Sequence, residues 1–262
     1  MYEYDKNFYQ YINRGATDSA GVVLPVLLSV LQEPVDSVLD VGCGAGAWLK
    51  VWKSLGVRIF GLDGSYVGAE QLLIEPEEFS PADLSAGFDL QQRFGIVQSL
   101  EVAEHLPPES SEKFVECLCR HSDMVLFSSA PPGQGGENHI NEQPYDYWRQ
   151  LFRNQGYEMY DPVRPSVLSN RQVKPWYRYN TFLYVSSRLR ADLGTGLTSC
   201  RVDPGEPVVD LSPPAYKLRK SLVALLPVSV RTALAIIKKG VFRYSMKATV
   251  YWKQAAPCRT DH

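Results

Sequence analysis

The chain has 262 residues, of which 45% are hydrophobic and 21% charged, with a formal net charge of −2. These values are ordinary for a soluble globular protein; the length allows one substantial core plus an appendage and is short for two full domains. Five cysteines, Cys43, Cys117, Cys119, Cys200 and Cys258, are an odd number without a metal-like double pair, and Met1-Tyr-Glu-Tyr-Asp lacks the basic start of a secretion signal, so the expectation is a cytoplasmic protein.

Residues 1–34 read as an N-terminal helical segment, aromatic at Tyr4, Phe8, Tyr9 and Tyr11 and apolar from Val22 to Leu31. From 35 to 188 short apolar runs alternate with helical stretches, the pattern of an α/β fold built on an open, mainly parallel sheet. Seven strands are predicted near 35–41, 57–62, 79–82, 94–99, 123–128, 157–161 and 180–186. The last two have no room between them for a full crossover helix, which predicts a late antiparallel strand.

Val35–Val41 is mostly aliphatic or β-branched, as suits a strand covered on both faces. It runs into Gly42-Cys-Gly-Ala-Gly-Ala47, a turn with glycine at every second position, followed by a helix whose first amides are free to meet a ligand. Dinucleotide enzymes favour Gly-x-Gly-x-x-Gly, whereas here Ala47 stands at the third glycine and Asp40 precedes the first by two positions. The second strand, Val57-Arg-Ile-Phe-Gly-Leu-Asp63, ends in a carboxylate suited to ribose hydroxyls, a feature of both cofactor classes.

The phrase Leu39-Asp-Val-Gly-Cys-Gly-Ala-Gly46 resembles the first motif of class I S-adenosylmethionine-dependent methyltransferases, and Glu101-Val-Ala-Glu-His-Leu-Pro107 their fourth-strand motif. The resemblance covers Tyr9 to Val185 and includes Gly61-Leu-Asp-Gly-Ser-Tyr66 and Pro132-Gly-Gln-Gly-Gly136. It implies a seven-stranded Rossmann-like sheet, S-adenosyl-L-methionine as cofactor, and an N-terminal segment capping the cofactor cleft. It also implies a cofactor site of Asp40, Gly42, Cys43, Gly44, Gly46, Asp63, Asp83, Leu84, Ser99 and Leu100, with Asp40 near the ammonium and Asp83 near the adenine amino group. Cys43 is expected to pack as a small residue and not to act as a nucleophile.

The fourth strand is expected to deliver Glu101 and His105 to the cleft, and the fifth a polar loop, Pro131–Pro144, with Gln134, Asn138, His139 and Asn141. An acceptor hydroxyl must lose a proton, and imidazole is the usual base near neutral pH. His139 is the expected base and His105 a cofactor-side neighbour. Trp148, Trp176 and Arg178 are expected to form a wall for a sugar face or its phosphate, so a small-molecule or glycan acceptor is favoured, with O-methylation the preferred chemistry. No metal is expected. An NAD(P)-dependent oxidoreductase and a non-catalytic S-adenosylmethionine-binding protein are the alternatives.

Residues 189–214, rich in glycine and proline, read as a linker to a basic amphipathic segment at 215–262. Residues 213–262 carry ten basic side chains against Asp261 alone, a net +9, while the first 212 residues carry −11. The longest apolar stretch, Leu222–Val230, is too short to span a bilayer and contains Pro227. Two readings stay open for 217–253: peripheral contact with acidic lipid, or packing on the acidic body or a second subunit. Nucleic acid is disfavoured because the basic residues adjoin aliphatic and not aromatic neighbours.

Overall fold

In a computed structural model, the structure describes the backbone of residues 6–237 and the side chains of 13–189 and 193–237. Residues 1–5 of the expected cap and 238–262 of the basic segment lie outside the described residues. The elements in chain order are α1 (Lys6–Leu28), β1 (Ser37–Val41), α2 (Ala47–Ser54), β2 (Arg58–Asp63), β3 (Phe79–Pro81), β4 (Ile96–Leu100), α3 (Ser111–His121), β5 (Met124–Ser128), α4 (Tyr145–Asn154), β6 (Tyr157–Tyr160), α5 (Arg164–Val167), α6 (Pro175–Asn180), β7 (Phe182–Ser186), α7 (Thr195–Thr198) and α8 (Pro214–Ala224).

All seven expected strands are present and form one sheet in the order β3-β2-β1-β4-β5-β7-β6. Every pairing from β3 to β5 is parallel, and β7 runs antiparallel to both β5 and β6. Only short helical turns, α5 and α6, fit between β6 and β7, so the chain returns beside β6 and not across the sheet.

The strands are buried on both faces, and their side chains alternate between two cores. Val38, Ile96, Leu126, Leu183 and Val185 point to a core shared with Leu24 and Leu27 of α1 and Trp52 of α2. Leu39, Val97, Val125, Phe127, Phe182 and Tyr184 point to the opposite core with Phe114 of α3 and Trp148 and Phe152 of α4. Helix spacing supplies the matching stripes: Trp48, Leu49 and Trp52 in α2, and Tyr145, Trp148 and Phe152 in α4. Phe152 stacks on Tyr184 with ring centroids 3.8 Å apart.

One expectation changes. The expected linker is folded onto the body: Leu197 of α7 is buried in the first core, Arg201 forms a bridge with Tyr160, and Arg149 donates to the carbonyls of Asp203 and Glu206. Glycine and proline there shape a wrapped segment and not a free tether. The described part of the expected cap, α1, packs through Ala20, Val23, Leu24 and Leu27 into the α2 side of the sheet.

Candidate active site

The carboxyl ends of β1, β2, β3 and β4 open onto a cavity of about 910 Å³. Side chains converge there because parallel strands all deliver their following loops to the same edge. Gly42, Asp63, Tyr66, Asp83 and Leu84 line one part, and Glu101, His105, Glu137 and Asn138 another.

At the first end the chain turns through Gly42, Gly44 and Gly46, with φ of 84°, 54° and 82°. L side chains rarely adopt such angles, and a β-carbon at Gly42 would also strike Val102. Asp63 at the tip of β2 accepts from the amides of Gly44 and Gly64, each at 2.6 Å, and from the hydroxyl of Tyr66. Asp83 is exposed and holds its own turn by accepting from Ser85, which keeps its carboxyl below the usual range.

Other expected cofactor residues stand behind this surface. Asp40 is 3% exposed, and burial, together with the nearby charge of Asp63, raises its carboxyl to about 8. Cys43 packs against Gly61 and its thiol is pushed up by burial and by the charges of Asp40 and Asp63, so it is no nucleophile. Ser99 and Leu100 are buried at the end of β4, and the Ser99 hydroxyl has no hydrogen-bond partner.

At the second end the backbone itself is unusual. Glu101 and Asn138 hold left-handed φ of 60° and 59°. Asparagine tolerates this conformation; glutamate seldom does, and such strain persists only where its surroundings enforce it. Here the Glu101 amide is pinned by the carbonyl and hydroxyl of Ser128 on β5, at 3.0 and 3.1 Å. Its carboxylate accepts from Gln134 at 2.5 Å and from Asn180 at 3.2 Å. Asn180 also donates to Gln134 and accepts from the Tyr145 hydroxyl, completing a buried network. Burial raises the Glu101 carboxyl even against these donors.

His105 lines the cavity with its ring exposed there, and the surrounding protein together with the charge of His139 lowers its pKa to about 4. His139 stands behind it, the two rings meeting edge to face at 4.8 Å between centroids. The His139 Nδ1 lies 3.0 Å from a Glu142 oxygen. Glu142 in turn accepts from the amides of Gly133 and Gly135 and pairs with Arg231 at 2.5 Å. His139, the expected base, is therefore one layer removed from the cavity lining.

The acceptor wall is also different. Trp148 is 2% exposed and packs on Phe127 and Tyr147, so it belongs to the core, as the helical stripe of α4 requires. Asn141 is buried and donates to the Ala103 carbonyl and the Ser111 hydroxyl, which fixes the loop. Arg178 donates twice to the Val173 carbonyl. Trp176 is 39% exposed beside Tyr177 and lies outside the cavity lining. Gln134 is held against Glu101. Asn180 and Tyr145, which the sequence did not single out, give no local signal: one ends α6 and the other opens an amphipathic helix.

The basic segment, where described, packs on this loop. Arg219 donates to the Gln134 carbonyl at 3.1 Å, Lys220 pairs with Asp210 at 2.5 Å, and Tyr216 meets Tyr179. The Lys220 carbonyl fills the space that a side chain at Gly133 would need. Among the described residues no helix is long and apolar enough to cross a membrane.

Residues 20–163 match the family model described as a methyltransferase domain. The chain belongs to this family and is an S-adenosylmethionine-dependent methyltransferase. Its fold is similar to that of DesVI from Streptomyces venezuelae, with 18% identity over 71% of this chain and 100% of that one, and a TM-score of 0.50. It is also similar to the sugar N-methyltransferase KedS8 from Streptoalloteichus sp ATCC 53650, with 17% identity over 71% and 96% of the two chains and a TM-score of 0.52. The amino pentose methyltransferase CalS10 from Micromonospora echinaspora shares 15% identity over 71% and 99%, at a TM-score of 0.50. No curated protein matches the chain.

The residues present fit the cofactor. Backbone amides at a glycine turn, a carboxylate at the end of β2 and the open surface at Gly42 suit a nucleoside with a charged tail.

Proposed function

We propose that the protein methylates a hydroxyl of a sugar or another small polar acceptor. One observation carries this reading: Glu101, a half-buried carboxylate held in a left-handed conformation, lines the same cavity as Asp63 and Asp83. Held at the glycine turn and Asp63, the cofactor would supply the methyl group from its sulfonium sulfur, and Glu101 would take the proton of the acceptor hydroxyl. Glu101 is preferred to His139 because it lines the cavity. Asn138 and Glu137 line the cavity on the acceptor side, and the names of KedS8, a sugar N-methyltransferase, and CalS10, an amino pentose methyltransferase, are compatible with a sugar acceptor without bearing on the atom methylated.

Incubation with S-adenosylmethionine and a panel of sugars and nucleotide sugars tests the reading through release of S-adenosylhomocysteine. A Glu101→Gln variant that binds S-adenosylhomocysteine normally yet keeps full turnover removes Glu101 as proton acceptor.

The basic segment supports a second role, peripheral contact with an acidic lipid surface. On α8 the cationic Arg219 and Lys220 turn toward the body, while Leu218, Leu222 and Leu225 are 63%, 59% and 81% exposed. Their spacing places them on one outward stripe, and Leu234 and Ile237 further on are exposed as well. Body contacts already use Arg219, Lys220 and Arg231, so the apolar stripe contributes more to this reading than the described charges do.

A further inference from the structure

Glu104 is completely buried in the 3-10 turn Ala103–His105 that follows β4, and its two oxygens are unequally served. One accepts from the Ser129 hydroxyl at 3.1 Å; the other, Oε1, has no hydrogen-bond partner. A buried carboxylate oxygen without a donor is costly.

Two imidazoles close on the same point. A Glu104 oxygen and one ring nitrogen each from His105 and His139 lie within 4.8 Å of one another. His139 is placed to donate from Nδ1 to Glu142, which leaves the lone pair on Nε2. Glu142 is itself fixed by two backbone amides and Arg231. A carboxylate behind an imidazole is how proteins set the tautomer and orientation of a ligating histidine.

We propose that Glu104, His105 and His139 bind a divalent first-row metal ion at the acceptor end of the cleft. A dication supplies the positive charge that the Glu104 and Glu101 carboxylates want. Two nitrogens and a carboxylate oxygen suit manganese, iron, cobalt or zinc better than magnesium or calcium. Because His105 faces the cavity beside Glu101, the ion has a side open to an acceptor oxygen, whose hydroxyl it would acidify as a Lewis acid. That role rests on the acceptor reading above, whereas binding of the ion does not. The sequence pointed to no metal because Glu104-His105 and His139 are separated by the whole of α3 and β5.

The test uses the full-length protein freed of metal with a chelator and titrated with Co²⁺, Zn²⁺ and Mg²⁺, without cofactor or acceptor. The expected result is one equivalent of Co²⁺ with visible d–d bands, displaced by Zn²⁺ and not by Mg²⁺. Glu104→Gln and His139→Ala should each weaken Co²⁺ affinity by about ten-fold or more. Glu104→Gln removes a buried charge, so it is expected to fold, with an unchanged melting temperature as the check. Pulsed electron paramagnetic resonance of the Mn²⁺-loaded unaltered protein should show two imidazole nitrogens, independently of any variant. Absence of stoichiometric binding, binding unchanged in both variants, or a spectrum without imidazole nitrogen would each overturn the site. These readouts involve no methyl transfer, so failure of the metal site and failure of the acceptor reading are seen separately.

Discussion

The amide of Gly44 donates to a carboxylate oxygen of Asp63 at 2.6 Å, tying the glycine turn after β1 to the tip of β2. Ligand binding at this seam has to work with that bond, since Asp63 also serves Gly64 and Tyr66. Replacing Asp63 by alanine removes the anchor of the turn and the acceptor expected for ribose hydroxyls. A charge-assisted hydrogen bond is worth about 1.5–3 kcal/mol, so affinity for S-adenosylhomocysteine should fall by roughly ten- to a hundred-fold in calorimetry. Unchanged affinity would remove Asp63 from the cofactor site.

Gly42→Ala tests the close approach of ligand to backbone. The left-handed φ costs an L residue on the order of 1–2 kcal/mol, and the added methyl meets Val102. Cofactor binding should be lost or strongly weakened while circular dichroism stays that of a folded α/β protein. Normal binding by this variant would show that the cofactor does not use the surface at Gly42.

The raised carboxyl of Asp40, at about 8, makes a pH prediction. The folded protein holds this proton more tightly than the unfolded chain, so the stability it contributes is fully present below the ordinary carboxyl range. It is lost as pH rises through about 8. A cationic ammonium placed beside Asp40 favours the ionised form, so binding near neutral pH should release a proton and strengthen as pH rises. Binding enthalpies in buffers of different ionisation heat measure that proton; identical values would separate Asp40 from the ligand.

Trp148 and Trp176 should behave oppositely. Trp148→Ala opens a cavity in the core next to Phe127 and is expected to cost about 3–5 kcal/mol in urea unfolding. Trp176→Ala, at a partly exposed position, should stay within about 0.5 kcal/mol. A similar cost at the two sites would contradict the placement of Trp148 in the core.

For the outward stripe of α8, the full chain should sediment with vesicles rich in acidic lipid. A Leu218→Ser, Leu222→Ser, Leu225→Ser variant should remain largely in the supernatant, and neither should bind neutral vesicles at moderate salt. Equal sedimentation of the two proteins would exclude the stripe. Because the stripe points away from the acceptor loop, turnover on a free sugar is expected to be unaffected.

Much of the architecture was legible because it is written in local periods. Mostly aliphatic runs in β1, β4 and β5 reveal strands covered on both sides, and the shortness of the stretch between β6 and β7 reveals the antiparallel return. Glycine at 42, 44 and 46 and a carboxylate closing β2 likewise speak through turn chemistry. The acceptor end was less legible. His139 stands out as a polar loop histidine, yet its distance from the cavity depends on how Pro131–Pro144 folds over Glu104, whose carbonyl takes the amides of Ile140 and Asn141. Trp148 looked like part of an aromatic wall because its composition is visible and the direction of its helix face is not.

By itself, the sequence determined the strand and helix repertoire, the glycine turn and the family, since each depends on neighbours within a few residues. Tertiary structure alone decided that Asn180 and Gln134 clamp Glu101, that His105 screens His139, and that Arg219 and Arg231 turn inward onto the loop. The reason is strand order: β7 inserts between β5 and β6, and only that placement brings the end of α6 to the residues following β4.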